Sequence, residues 1–195
     1  MLELSKKYKS GSAAEIIRDA ILSGEISGEI GQKEFAESLG ISRIPIREAL
    51  ISLQYHGLIE KMTNQHVRTI FPDDKAIREM FSDMSLLEIE TLKTLAPGKI
   101  QHLSSLSQLE FHRELYTNAY SPLRKTYLRI ITETYIAFIL EHSDGAKISP
   151  VIENLKHSLD DMSILRAGYA VYAEVLASEF IRIRNDNRRK NHAEP

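Results

Sequence analysis

The chain has 195 residues, enough for one good core and a small second domain; 43% are hydrophobic, and the formal net charge is −2 at pH 7. It contains no cysteine, which excludes disulfides, zinc thiolate sites and thiol redox chemistry. Because no apolar run is long enough to cross a membrane or to act as a secretory signal, we expect a soluble, cytoplasmic protein with no membrane partner.

The first part of the chain predicts two short helices separated by a turn. Residues 13–22 carry apolar side chains at helical spacing, and Gly24 follows where that helix should end. Residues 32–39 form a second, amphipathic helix, after which Gly40 supplies a left-handed turn. A third helix after this turn would complete a helix-turn-helix motif.

The third helix, within residues 41–57, has a basic face and an apolar face. Arg43 and Arg47 lie four residues apart, so they project from the same side near the N-terminal end, where Ser42 can cap the helix. A guanidinium there can reach guanine O6 and N7 in the major groove or bind a phosphate. An isolated pair of this kind is usually a solvated surface pair, and the neighbouring helices favour the DNA-binding interpretation. The apolar stripe consists of Ile46, Ala49, Leu50 and Leu53.

A hairpin and a domain boundary follow. Residues 58–70 show partial alternation around a polar tip at 63–66, which predicts two strands that would form the wing. Pro72 breaks the last strand. We therefore expect a winged helix-turn-helix domain at residues 1–71, in which 1–10 are a flexible basic arm, and a second domain at residues 72–195.

The second domain is predicted to be an all-α antiparallel bundle, which makes the fold mainly α. Apolar residues recur there at spacings of three and four, and no stretch is typical of a β-sheet. The expected helical segments are residues 75–96, 99–119, 122–143, 148–165 and 168–188.

Residues 42–50, Ser-Arg-Ile-Pro-Ile-Arg-Glu-Ala-Leu, and residues 53–58, Leu-Gln-Tyr-His-Gly-Leu, resemble the signature of the GntR family of bacterial transcription regulators. The resemblance covers residues 11–70. It implies operator contacts by both signature arginines, by a basic residue at the start of the second helix and by the wing tip, where the glycine usual in the family is missing. The predicted DNA-binding residues are Lys33, Ser42, Arg43, Arg47, Asn64 and His66.

A winged domain followed by a helical bundle resembles the FadR subfamily, and the short bundle is more similar to its VanR-like variant. This resemblance implies a homodimer and a small-molecule effector bound in the bundle. Many such bundles hold a divalent metal through an aspartate, a histidine four residues later and two further histidines. Here the first pair aligns with Gln108 and His112, so the aspartate is absent; His157 matches the next ligand, and the last falls near Glu179 or Phe180.

Three interpretations of these residues remain open. His112 and His157 could hold zinc or a similar ion. Alternatively, Gln108, His112, His157 and Glu179 could line an effector cavity, the interpretation we favour from the resemblance. His112 could also be an ordinary hydrogen-bonded residue of the bundle.

The sequence contains no glycine-rich phosphate loop, nucleophile elbow or hydrolytic metal motif, so we do not expect an enzyme. It predicts a ligand-responsive regulator, a repressor that binds an inverted-repeat operator in double-stranded DNA as a homodimer and is released by a small metabolite such as an organic acid. The alternative is a metal-binding helical-bundle enzyme or sensor that uses the winged domain for protein interaction.

Overall fold

The structure is a computed structural model that describes residues 12–62 and 66–193. Contacts divide the chain into two compact units: one combines the described residues up to 71 with those from 184 on, and the other contains residues 72–183. The expected second domain was therefore too long at its C-terminal end. The reason is that the guanidinium carbons of Arg184 and Arg188 lie 5.4 Å and 4.4 Å from the ring centroid of Phe71, in cation–π contact with the first unit.

The first unit has the predicted winged helix-turn-helix fold. Its three-stranded antiparallel sheet has β3 in the centre, and Ile30 and Lys61 both face Val67 from the two neighbouring strands. The sequence predicted only the hairpin, because three residues are too few to show the alternation of the additional strand. The elements are α1 Ala13–Leu22, β1 Glu29–Gly31, α2 Gln32–Leu39, α3 Arg43–Tyr55, β2 Ile59–Lys61 and β3 His66–Thr69.

Short-range capping interactions and one glycine turn define the helix ends in this unit. A capping box between Ser12 and Glu15 starts α1. As predicted, Gly40 ends α2 in the left-handed region, with φ of 67°. The expectation that the Ser42 side chain caps α3 was wrong: Ser42 has the extended backbone of an N-cap, but its hydroxyl makes no capping hydrogen bond.

Every secondary-structure element of the described second unit is a helix, and short turns connect them, which confirms the predicted fold class. No helix of the described chain has both the length and the apolar character needed to cross a membrane. The elements are α4 Asp74–Leu92, α5 Pro97–Leu103, α6 Gln108–Asn118, α7 Pro122–Ile130, a π-helical segment Ile131–Ile136, α8 Ala137–His142, α9 Ser149–His157 and α10 Met162–Ala193. The residues of α10 from 184 on belong to the first unit.

Two helix boundaries differ from the prediction. The segment expected at 99–119 is two helices, because Ser107 and Glu110 form a capping box that starts α6. The break expected near Gly168 instead lies at 158–161, where the Asp161 carboxylate accepts hydrogen bonds from the first backbone amides of α10. Gly168 lies inside α10, and a Cβ added there would come within 3.0 Å of Leu155, so a hydrogen at this position lets α9 pack closely.

Candidate nucleic-acid interface and polar core of the helical unit

Helix α3 is fixed in the first unit by one buried face. It packs against α1 and α2, and burying four apolar side chains leaves its opposite face to solvent. Because the helical period sets the angle between the two faces, the orientation of α3 also decides which polar side chains point outward. The buried residues are Ile46, Ala49, Leu50 and Leu53, all at most 5% exposed.

Arg43 and Arg47 lie on the open face of α3, within its first two turns. Both are exposed. Within residues 12–62 and 66–193, neither makes a hydrogen bond or an ion pair with another residue, so each guanidinium keeps its donors for an external acceptor. The side chains also add to the positive end of the helix dipole, which favours an anionic partner.

Ile44 lies beside the two arginines and is 72% exposed. The sequence analysis did not include Ile44 among the site residues. It could have been found because Ile44 is apolar but does not belong to the buried stripe of α3. A large apolar side chain next to two free guanidinium groups can contact a thymine methyl in the major groove. Ile44 therefore joins the candidate interface.

The remaining predicted DNA-binding residues differ in how tightly they are held. Lys33 is exposed, with its Nζ 3.6 Å from Glu37 Oε1, a surface pair that restrains it little. Ser42 is exposed beside Arg43. His66 opens β3 and is held by Glu29, whose Oε1 lies 3.1 Å from its Nδ1. Asn64 lies outside the described residues.

A chain of buried polar groups crosses the helical unit. The amide nitrogen of Gln108 lies 2.8 Å from the hydroxyl of Tyr172, which lies 2.6 Å from His112 Nε2. His112 Nδ1 lies 2.6 Å from Glu88 Oε1. Glu88, His112 and Tyr172 are all 0% exposed. The His112 and Tyr172 rings also stack, with centroids 5.5 Å apart. We call Gln108, Tyr172, His112 and Glu88 the polar chain.

The hydrogen bonds of the polar chain run in one direction when His112 is neutral. The Gln108 amide then donates to Tyr172, the Tyr172 hydroxyl donates to Nε2 of His112, and the Nδ1–H group donates to the Glu88 carboxylate. This arrangement uses both nitrogens of the imidazole. Neither has a lone pair left for a metal ion unless Tyr172 or Glu88 is displaced.

The structure does not bring the four predicted effector residues together. Gln108 and His112 belong to the polar chain, but His157 is exposed at the end of α9, with Nδ1 2.6 Å from the Glu153 carbonyl oxygen. Glu179 is buried, with Oε1 2.5 Å from Arg182 Nε. Within the described chain, His112 and His157 belong to no group of three or more potential metal ligands. The shared cavity and the shared metal site were both wrong, because the helices direct these side chains to separate environments.

A groove of about 590 Å³ runs between α4 and α10 on the helical unit. An ion pair between Arg78 and Glu174 crosses it. Arg166 supplies a second guanidinium, and Ala170 lies between these two polar groups on the α10 side. The volume is in the range of small-molecule sites, which is about 300–1,000 Å³.

Comparisons with known proteins agree with the interface on α3. Residues 9–67 match the family model described as bacterial regulatory proteins, gntR family. The winged domain belongs to the GntR family. The chain thus carries the DNA-binding domain of a bacterial transcription regulator, and the resemblance seen in residues 42–50 is confirmed.

Solved structures extend the similarity in fold beyond the GntR domain. McbR/YncC of E. coli is 18% identical and superposes with a TM-score of 0.52 over 95% of this chain and 99% of its own. Lar, described as controlling the Listeria monocytogenes agr system and mediating virulence, is 16% identical, with a TM-score of 0.51 over 91% and 95% of the two chains. No curated protein matches the chain. At these identities the structures show the shared fold alone.

Sequence reasoning missed Glu88 and Tyr172, which complete the polar chain outside the GntR domain. Glu88 continues the buried face of α4 through Phe81, Ser85 and Leu92 at spacings of four, three and four residues. A carboxylate at such a position has to find a buried donor. The burial of Glu88 could therefore have been predicted from this periodicity. Its partner on α6 could not, because that contact depends on how the helices pack.

Burial makes the tyrosines of the helical unit difficult to ionise. Burial raises the pKa of Tyr169 and of Tyr172 well above the usual value, and the negative charge of Glu88 raises both further. Burial also raises the pKa of Tyr135, in the π-helical segment, to about 12. The folded protein therefore keeps these phenol protons at pH values where an unfolded chain loses them.

We predict that this unit loses stability in alkali. Below about pH 10 the phenols are protonated in both states; above it the unfolded chain ionises first, so each such tyrosine lowers the free energy of unfolding by about 1.4 kcal/mol per pH unit up to its folded pKa. Thermal unfolding followed by circular dichroism between about pH 9 and about pH 11 measures the slope. Tyr135→Phe should reduce it, whereas Tyr120→Phe, at a position that is 94% exposed, should leave it unchanged. Equal slopes in the two variants would contradict the assignment.

Proposed function

We propose that the chain is a ligand-responsive transcriptional repressor that binds operator DNA as a homodimer. The observation that carries the proposal is the pair Arg43 and Arg47, exposed at the N-terminal end of α3 and without ion-pair partners among the described residues. Recognition helices offer their N-terminal residues to base edges in the major groove. The buried face of α3 stops the helix from turning these side chains away from DNA.

Each residue of the interface has a distinct role in the proposal. Arg43 and Arg47 bind guanine edges or phosphates, and Ile44 contacts a thymine methyl. Lys33 and Ser42 contact phosphates, which position the domain without reading sequence. In the wing, Asn64 and the Nε2 side of His66 approach the backbone or the minor groove.

The small size of a single winged domain supports a homodimer. One recognition helix reaches few base pairs, and two copies related by a two-fold axis double the contact with an inverted repeat. The formal charge of −2 does not oppose this, because DNA binding depends on the local cluster at Lys33, Arg43 and Arg47 rather than on the total.

We place the effector in the groove between α4 and α10. His112 is completely buried and both of its ring nitrogens are engaged, whereas this groove has the size for a metabolite and offers Arg166 to a carboxylate of an organic acid. An effector controls DNA binding only if it binds two arrangements of the dimer with different affinity; about 1–3 kcal/mol of difference changes operator affinity about 5- to 150-fold. Residues around Pro72 and α10, which contributes to both units, are the segments that would transmit the change.

We predict that Arg43→Ala and Arg47→Ala each weaken specific binding by about 1–3 kcal/mol, or about 5- to 150-fold, because each removes one two-pronged contact to a base. Fluorescence anisotropy with the chain's own promoter fragment, against a scrambled duplex and over a salt series, gives the specific and non-specific affinities. Binding to the scrambled duplex should fall much less.

Lys75→Ala is the matched control, since it removes one positive charge from an exposed side chain of the helical unit that is only loosely paired with Glu79. It should keep wild-type affinity. If both arginine variants bind the promoter as tightly as the control, the proposed reading role is wrong. A duplex carrying one half of the inverted repeat tests the dimer, which should bind it far more weakly than the full site.

We predict that Ala170→Trp blocks the effector without affecting DNA binding, because an indole at this exposed position fills the groove between α4 and α10. A thermal-shift screen of small mono- and dicarboxylates on the wild-type protein identifies the probe. The shift that this probe causes should disappear in Ala170→Trp and persist in Lys125→Trp, at an exposed position on α7. A shift that survives in Ala170→Trp places the effector elsewhere.

A further inference from the structure

Glu88 is the unusual member of the polar chain. Its carboxylate is 0% exposed, and only Oε1 has a hydrogen-bond partner in the described structure; Oε2 has none. The buried Tyr169 hydroxyl makes no hydrogen bond of good geometry within the described residues, but it lies beside Glu88: burial, the charge of Glu88 and a hydrogen bond to Glu88 all raise the pKa of Tyr169. The carboxylate of Glu88 therefore occupies a buried position beside polar groups that could also bind a carboxylate from outside the chain.

Burying a carboxylate is unfavourable unless donors compensate for the lost water. Here the Nδ1–H group of His112 donates to Oε1 of Glu88, and the Tyr169 hydroxyl lies beside the same carboxylate. Tyr172 and Gln108 fix the orientation of the imidazole through its other nitrogen. A chain of three polar side chains from α6 and α10 thus ends at one anionic group supplied by α4. An arrangement of this kind is what a protein presents to a bound carboxylate, except that the carboxylate belongs to the chain itself.

The divalent metal that the FadR-like resemblance implies does not fit these residues. Gln108 supplies a neutral amide whose nitrogen is directed to Tyr172, and both nitrogens of His112 are engaged. The other proposed ligand, His157, bonds to its own helix at the surface. A metal at His112 would have to displace Glu88 or Tyr172 from a fully buried position.

We infer that Glu88 is a built-in anion that takes the place of both metal and ligand in the core of the helical unit. The unit holds its polar core together without a metal ion, and Glu88 excludes small carboxylates from the position beside His112. Removing the side chain of Glu88 converts this position into a binding site for a small carboxylate. The inference concerns the helical unit alone, so it can fail while DNA binding persists, and the reverse also holds.

The chemistry of the deletion defines the probe. Glu88→Ala removes a CH₂ group and a carboxylate, and acetate, a CH₃ group and a carboxylate, is their nearest free equivalent. Acetate can accept the hydrogen bond from Nδ1 of His112 in the space that the variant leaves. Propionate has one additional carbon, for which a closely packed core has no room.

We expect Glu88→Ala to unfold at a lower temperature than the wild type and to be restabilised by acetate, with a stability gain that rises with the logarithm of the acetate concentration above the dissociation constant. At an acetate concentration of about 100 times the dissociation constant, the folding equilibrium shifts about 100-fold. Acetate should stabilise wild type and Glu88→Gln, which keeps an acceptor oxygen and the volume, equally and less than Glu88→Ala, because any binding in the groove between α4 and α10 is common to all three. Sodium chloride at equal ionic strength is the reference for each. Propionate should restore less than acetate.

An acetate effect on Glu88→Ala that equals the effect of sodium chloride overturns the inference, as does an acetate effect of the same size in the wild type. Metal binding is measured on the wild-type protein, so this second experiment tests the inference even if Glu88→Ala fails to fold. Purified wild type should hold no ion that depends on His112, and EDTA or zinc chloride should leave its melting temperature unchanged. A metal ion bound in equal amount to the wild-type chain and lost in His112→Asn would overturn the inference.

Discussion

The burial of one face of α3 is the constraint on which the rest of the DNA-binding unit depends. Ile46 and Leu50 are almost completely inaccessible to solvent, so α3 cannot rotate about its axis without exposing them. With a period of 3.6 residues, this fixes Arg43 and Arg47 on the open face. Moving a fully buried side chain of this size into water costs about 1.5–3 kcal/mol, and the four residues together hold the reading face in one orientation.

The helical unit is organised around a different constraint, a carboxylate that has no access to water. Glu88 requires a donor, His112 supplies it, and Tyr172 sets the orientation of the imidazole by bonding to its other nitrogen. Such a network is most stable when every member is satisfied, because a half-satisfied network leaves desolvated polar groups unpaired. The groove between α4 and α10, where we propose that a metabolite binds, is lined by other side chains of the same unit.

The features that the sequence predicted correctly are those that local periodicity determines. Arg43 and Arg47 could be placed because their exposure depends only on the apolar stripe within α3. The turn at Gly40 and the family signature at residues 42–50 supported the same placement. His157 and Glu179 could not be placed, because whether residues on different helices meet depends on the rotation and depth of each helix, which no local pattern encodes. Glu88 was partly predictable: the periodicity of α4 indicates that it is buried, but not that His112 is its partner.

If the exposed arginines of α3 bind guanine edges, a double-mutant cycle between side chain and base will show the coupling. Each guanine of the operator is replaced in turn by 7-deazaguanine, which lacks the N7 acceptor but still pairs with cytosine. We expect at least one replacement to weaken wild-type binding about tenfold or more and to have no further effect on Arg43→Ala or Arg47→Ala. Equal losses in wild type and both variants at every guanine would contradict it.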